Sequence, residues 1–190
     1  MAKLYFHYST MNAGKSTLLL QASYNYRERG METLLLTAAL DDRAGEGTIA
    51  SRIGICETAR TFTPQTDLFA LIAEEAAVAA CIFLDEAQFL TEAQVWQLAR
   101  VADDLGQPVM CYGLRVDFRG QLFPAPPRFW RWPTICARSA RSAIAARRPR
   151  WSSATTIRAA SSLRAQVQIG GNETYISLCR RHWRAAMQHS

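Results

Sequence analysis

Ser9-Thr-Met-Asn-Ala-Gly14-Lys15-Ser16 brings a glycine-bearing loop, an amine and a hydroxyl together in the order that polyphosphate binding requires. The run fits G-x-x-x-x-G-K-[ST], with Ser9 standing in the first glycine position. In that pattern the backbone N–H groups along Ser9, Thr10, Met11, Asn12, Ala13 and Gly14, with the positive end of the helix that follows, can cradle phosphates. Lys15 can reach the β and γ oxygens, and the Ser16 hydroxyl can hold Mg2+. A chance Gly-Lys-Ser at a helix start is the bland reading, which the absent first glycine leaves open. The second group is Asp85-Glu86, delivered by the apolar run Ile82-Phe-Leu84. Asp85 can hold Mg2+ through its water shell, and Glu86, one step further out, can orient or deprotonate an attacking oxygen. A strand that simply ends in two solvated acids is the bland reading here. Together the two groups mean phosphoryl transfer or nucleotide hydrolysis, and they do not name the acceptor.

Such side chains need a strand before the loop, a helix after it, and a second strand alongside. The sequence supplies them. Leu4 to Tyr8 reads as a short buried strand, and Ser16 to Arg29 has helical spacing that stops at Gly30. Thr33 to Ala38 and Ala80 to Leu84 read as further strands, with a helix over Leu68 to Ala80 between them. Thr91 to Leu105 opens with the capping pattern Thr-x-x-Gln, keeps helical period and stops at Gly106, and Pro108 to Tyr112 gives a fourth strand. Strands alternating with helices predict an α/β fold, a P-loop-type parallel sheet with helices on both faces.

The 190 residues, 49% of them hydrophobic, are enough for one core and a small appended lobe. No apolar run approaches the roughly 20 residues of a membrane span, and Lys3-Leu4-Tyr5-Phe6-His7-Tyr8 is too short for a signal-peptide core. A soluble, cytoplasmic chain is expected. Cys56, Cys81, Cys111, Cys136 and Cys179 are odd in number and irregularly spaced, which argues for reduced thiols. The net charge of +6 is unevenly distributed. Every acid except Glu173 lies at or before Asp117, whereas Pro124 to Arg164 holds nine arginines and no acid.

Four runs carry a family resemblance. Met11-Asn-Ala-Gly-Lys-Ser-Thr, Asp85-Glu-Ala-Gln-Phe89, Tyr112-Gly-Leu-Arg-Val-Asp-Phe-Arg-Gly-Gln-Leu-Phe123 and Ile169-Gly-Gly-Asn-Glu-Thr-Tyr175 resemble, in that order, the cytosolic and bacterial thymidine kinases, over 1–123 and 166–187. The resemblance implies transfer of the γ-phosphoryl group of ATP to the 5′-hydroxyl of deoxythymidine, giving dTMP for nucleotide salvage and DNA synthesis. It implies Glu86 as the base, with Asp85, Ala87 and Gln88 beside it at the ATP and Mg2+ site. Phe89, Leu114, Phe118 and Phe123 would enclose the thymine, and Tyr175 would close over the nucleoside. Without the resemblance, these apolar residues would be read as core. Asp41-Asp42-Arg43 resembles a family segment near sugar and phosphates; Arg43 either stabilises phosphoryl charge or is a solvated loop cation. A homotetramer is implied as well, and deoxyuridine or deoxycytidine stays open as acceptor.

The family also implies a small zinc-bearing lasso lobe. Cys179-Arg-Arg-His182 supplies one pair of Zn2+ ligands with the right spacing and donor types. A second pair, expected upstream in a Cys-x-Cys or Cys-x-x-Cys turn, is not in the sequence, and Cys136 is the one upstream candidate. The reading is therefore of a kinase domain over 1–123, a disrupted and poorly ordered segment over 124–165, and a lobe remnant over 166–190. Codon degeneracy suggests that 124–165 is translated in a shifted frame. Read one nucleotide earlier, Trp132-Pro-Thr-Ile-Cys136 is compatible with Leu-Ala-Asp-Asp-Leu, and Trp151-Ser-Ser with Met-Val-Val. The shift would put the lost Cys-x-Cys turn near Ala143 to Arg148 and make Cys136 a chance cysteine. The alternative is a P-loop ATPase whose arginine-rich tail, with Trp130, Trp132 and Trp151, holds nucleic acid. It leaves the return of family sequence at Val167 unexplained.

Overall fold

The computed structural model describes residues 2–75, 78–117, 119–130 and 135–138 with their side chains, and residues 131, 152–156 and 175–179 as backbone. In chain order the elements are β1 (Leu4–Ser9), α1 (Lys15–Arg27), β2 (Thr33–Ala38), β3 (Thr48–Ala50), β4 (Cys56–Thr58), β5 (Arg60–Phe62), α2 (Leu68–Glu75), β6 (Cys81–Leu84), α3 (Glu92–Asp104), β7 (Val109–Leu114), α4 (Pro126–Arg131), β8 (Ile135–Arg138), β9 (Ser152–Thr156) and β10 (Tyr175–Cys179).

Six strands form one parallel sheet in the order β5-β2-β6-β7-β1-β8. Alternation along β6 shows how the strands read two faces. Ile82 and Leu84 join Leu68 and Ile72 of α2, Val95 and Leu98 of α3 and Phe129 of α4 in one core, while Cys81 and Phe83 meet Leu19 and Leu20 of α1 in the other. The parallel sheet with helices on both faces is thus present. Register puts Ser9 beside Leu114 and Leu84 beside Cys111, so the ends of β1, β6 and β7 reach one edge.

Local chemistry explains the element ends. Thr91 and Gln94 form the expected capping box: the Gln94 N–H donates to Thr91 Oγ1 at 3.2 Å and the Thr91 N–H to Gln94 Oε1 at 3.0 Å. Beyond α1, Gly30 takes φ +71°, the left-handed turn that lets the Met31 N–H reach back to the Tyr26 carbonyl at 3.1 Å. Among the described residues α2 runs to Glu75, and Ala80, the expected end of the helix, donates to the Glu32 carbonyl as β6 begins. Strands β3, β4 and β5 were not expected, because three residues are too few to show a period.

The sequence pattern also gave no element between Pro124 and Arg138, where the structure has α4 and β8. Packing decides this. Phe129 is fully buried and stacks on Phe6 at 4.3 Å, and Trp130 meets Tyr8 edge-on at 6.4 Å. The open flank of β1 then takes β8 in parallel register from Tyr5↔Ile135 to Tyr8↔Arg138. Backbones β9 and β10 form a separate antiparallel pair.

Candidate active site

The loop between β1 and α1 is built by two left-handed residues, Asn12 at φ +61° and Gly14 at φ +75°. Gly14 is also the N-cap of α1, with no side-chain cap and no acid in the first turn. A helix of 13 residues therefore presents a positive end at which an anion is the fitting partner. Lys15 is buried to 8% exposure, and its Nζ donates to the Thr10 carbonyl at 3.2 Å, curled over the loop.

Opposite the loop, the Ser16 hydroxyl donates to Asp85 Oδ2 at 2.7 Å, and the Glu86 N–H donates to Asp85 Oδ1 at 2.9 Å. Burial, and then the neighbouring Glu86 charge, push the Asp85 carboxyl above its ordinary range, against the smaller opposing effects of Ser16 and Lys15. Two hard oxygen donors side by side, one an under-compensated carboxylate, are a donor set that suits Mg2+ bound together with phosphates.

Glu86 leaves β6 at φ +54° and ψ +38° and begins a 3-10 turn over Ala87–Phe89. Among the described residues, Glu86 and Asn12 are the two non-glycine residues with positive φ. Such conformations cost on the order of 1–3 kcal/mol each and persist where surrounding structure enforces them. Here both line the same edge. Arg43 Nη2 donates to Glu86 Oε1 at 2.8 Å, and Gln88 Nε2 donates to Glu86 Oε2. Arg43 is itself held by Asp41, through Nε at 2.5 Å and Nη2 at 2.6 Å. Hydrogen bonding to Asp41, and then the Glu86 charge, raise the Arg43 pKa further, so the guanidinium is fixed as a cation. With the Arg43 side chain 37% exposed, the ion pair itself adds only about 0–1 kcal/mol, and its effect is to orient Glu86.

At the end of the turn that follows Glu86, Phe89 meets Phe123 edge-on at 6.1 Å and 79°, with Leu114 half-buried at the end of β7. Ala87 is fully buried in the core, and the Gln88 amide is occupied by Glu86 and by the Leu114 N–H, which donates to its Oε1 at 2.9 Å. The structure thus brings together Ser9 to Ser16, Arg43, Asp85, Glu86, Gln88, Phe89, Leu114 and Phe123. Phe118, His182 and the side chains of Tyr175 and Cys179 lie outside the described residues. Sequence reading overlooked Asp41 as the brace of Arg43, although a second acid within two residues of an arginine was the available signal. It also overlooked Gly113, where a Cβ would stand 3.0 Å from Gln88 Oε1 and 3.1 Å from the Gln88 nitrogen.

Comparison with known proteins gives a consistent answer. The thymidine kinase family model matches residues 2–183. The chain is 57% identical to the thymidine kinase of Ruegeria pomeroyi, covering 98% of this chain and 96% of that protein. It is 55% identical to the thymidine kinases of Agrobacterium fabrum, over 96% of both chains, and of Jannaschia sp., over 98% of this chain and 97% of that one.

Proposed function

Because the chain belongs to the thymidine kinase family and phosphorylates thymidine with ATP, we propose that Glu86 is the base that takes the proton of the 5′-hydroxyl. The observation that supports this is the Glu86 carboxylate itself, buried just past the end of β6 beside the Ser16–Asp85 pair, with both oxygens hydrogen-bonded. As the 5′-oxygen bonds to the γ-phosphorus, the bond from that phosphorus to the β–γ bridging oxygen breaks, ADP leaves, and the proton moves to Glu86. The loop from Ser9 to Gly14 holds the phosphates. Lys15 exchanges its bond to the Thr10 carbonyl for the β and γ oxygens. Ser16 and Asp85 would hold Mg2+, which when bound supplies neutralisation of phosphate charge. Phe89, Leu114 and Phe123, with Phe118, form the thymine wall, and Tyr175 covers the nucleoside. The Glu86→Gln variant is expected to lose dTMP formation by about 10²- to 10⁴-fold while keeping its affinity for Mg2+·ATP; full turnover in that variant defeats the assignment.

Zinc is a poorer fit. Cys179 and His182 make one pair, and the Cys136 thiol on β8 is packed against the core, with burial pushing its pKa up, which disfavours the thiolate a zinc site needs. No step is assigned to zinc. We read 124–165 as the product of a shifted frame that replaced the second ligand pair, and expect turnover below that of the relatives. The family match extending to residue 183, past the segment, supports a return to register. The encoding DNA across codons 120–170 tests this: a Cys-x-Cys turn in another frame supports it, and its absence from every frame, or turnover equal to a relative's, overturns it. A cytoplasmic homotetramer is part of the same proposal. Among the described residues no helix is long and apolar enough to cross a membrane.

A further inference from the structure

We propose that Gln88 is the positioning residue of the reaction, the group that ties the Glu86 carboxylate to the central sheet. This rests on Glu86 being the base. Gln88 lies in the middle of the turn Ala87–Phe89 and is 2% exposed. Its amide has one possible orientation. The Leu114 N–H, at 2.9 Å, can only donate and so faces Oε1, while the Glu86 carboxylate only accepts and so faces Nε2. A flipped amide would oppose donor to donor and acceptor to acceptor. Gly113 makes the arrangement possible, since a Cβ there would press on both Gln88 Oε1 and the Gln88 backbone.

The two oxygens of Glu86 are therefore held by different means. Oε1 is held by Arg43, a half-exposed cation on the loop after β2. Oε2 is held by a buried neutral amide whose other end is fixed to β7. Since Leu114 also stands on the nucleoside side, Gln88 sets the base and the acceptor wall to one frame, the strand β7. A base displaced by about 1 Å can lose on the order of 10²-fold in rate, so losing this brace slows proton transfer.

The test compares Gln88→Met, Gln88→Glu and Glu86→Gln in the full chain, with dTMP formation followed from radiolabelled thymidine. Gln88→Met is expected to lower kcat by about 10- to 100-fold with KM for ATP changed less than about twofold. Gln88→Glu keeps the acceptor for Leu114 but sets a second carboxylate against Glu86. Its rate relative to the unaltered chain should be lowest near about pH 8 and rise toward about pH 6, where a protonated acid can donate as the amide did. Gln88→Met should show no such recovery. A crystal structure of Gln88→Met reads the same point without turnover: the Glu86 carboxylate should have swung away from β7 while still bonded to Arg43. A Gln88→Met rate within twofold of the unaltered chain, a pH-independent deficit in Gln88→Glu, or an unmoved Glu86 carboxylate overturns the proposal. If Glu86→Gln is itself fully active, the base assignment is what has failed.

Discussion

The proposed phosphate edge and the α4–β8 strip meet the same strand, β1, and use it in opposite ways. At its C-terminal end β1 delivers Ser9 into a loop with two left-handed residues, beside a buried carboxylate pushed above its ordinary pKa and a strained Glu86. Along its flank the same strand takes on Phe129, Trp130 and four residues of β8 through ring stacking and backbone ladder bonds. One region carries unfavourable conformations and charges where the chemistry is proposed, and the other contributes burial with no chemistry assigned to it. The difference teaches that an unpaired strand flank and an apolar ring can recruit a chain segment with little sequence pattern. A phosphate site instead needs particular side chains at particular turns.

Four substitutions test that contrast. The largest effect on stability is expected from Phe129→Ala, which removes a fully buried ring stacked at 4.3 Å on Phe6. Chemical denaturation should show a loss of about 3 kcal/mol, with Mg2+·ATP affinity of the remaining folded protein unchanged. If ATP affinity falls in parallel, the two regions are not separable. Gly113→Ala comes next. Its Cβ meets backbone as well as the Gln88 side chain, so it should cost about 1–3 kcal/mol and also slow turnover, because the obstruction lies at the brace of the proposed base. A stable Gly113→Ala with full activity would show that β7 and the turn can separate freely.

Asp85→Asn should move stability the other way. A carboxyl whose folded pKa is raised above its unfolded value destabilises the fold fully at pH above the folded pKa, and that penalty is relieved as pH falls toward the unfolded value. The unliganded Asp85→Asn protein should therefore be more stable at neutral pH by on the order of 1 kcal/mol, with the gain shrinking on acidification. Mg2+-dependent ATP binding should be lost, and calorimetry across pH with and without Mg2+·ATP reads both effects. The smallest effect is expected from Thr91→Ala, which removes one half of the α3 capping box, a contact made with Gln94 of the same helix. It should cost about 1 kcal/mol in a thermal melt and leave ATP affinity untouched. A loss of activity beyond that would extend the site to α3.

Much of this molecule was written locally. The loop, its lysine and serine, the Asp85-Glu86 pair, the capping box at Thr91 and the stops at Gly30 and Gly106 are short-range patterns, in which spacing fixes which groups face one another, and they were legible from the chain. So was the parallel sheet, because strands and helices alternate. The short strands β3 to β5 and the α4–β8 strip were not, since elements of three to six residues show little period, and β5 and β8 pair with strands far away in sequence. Nor did the sequence say that Arg43 reaches across 43 positions to Glu86, or that the Gln88 amide meets Leu114, 26 residues on. Those contacts depend on which strand ends lie side by side at the sheet edge and on the one glycine, Gly113, that lets the turn approach. Residue types determined that this chain can move a phosphoryl group. Only the packing of β2, β6 and β7 decided how its proposed base is held, because a carboxylate's direction is set by donors that no local pattern brings to it.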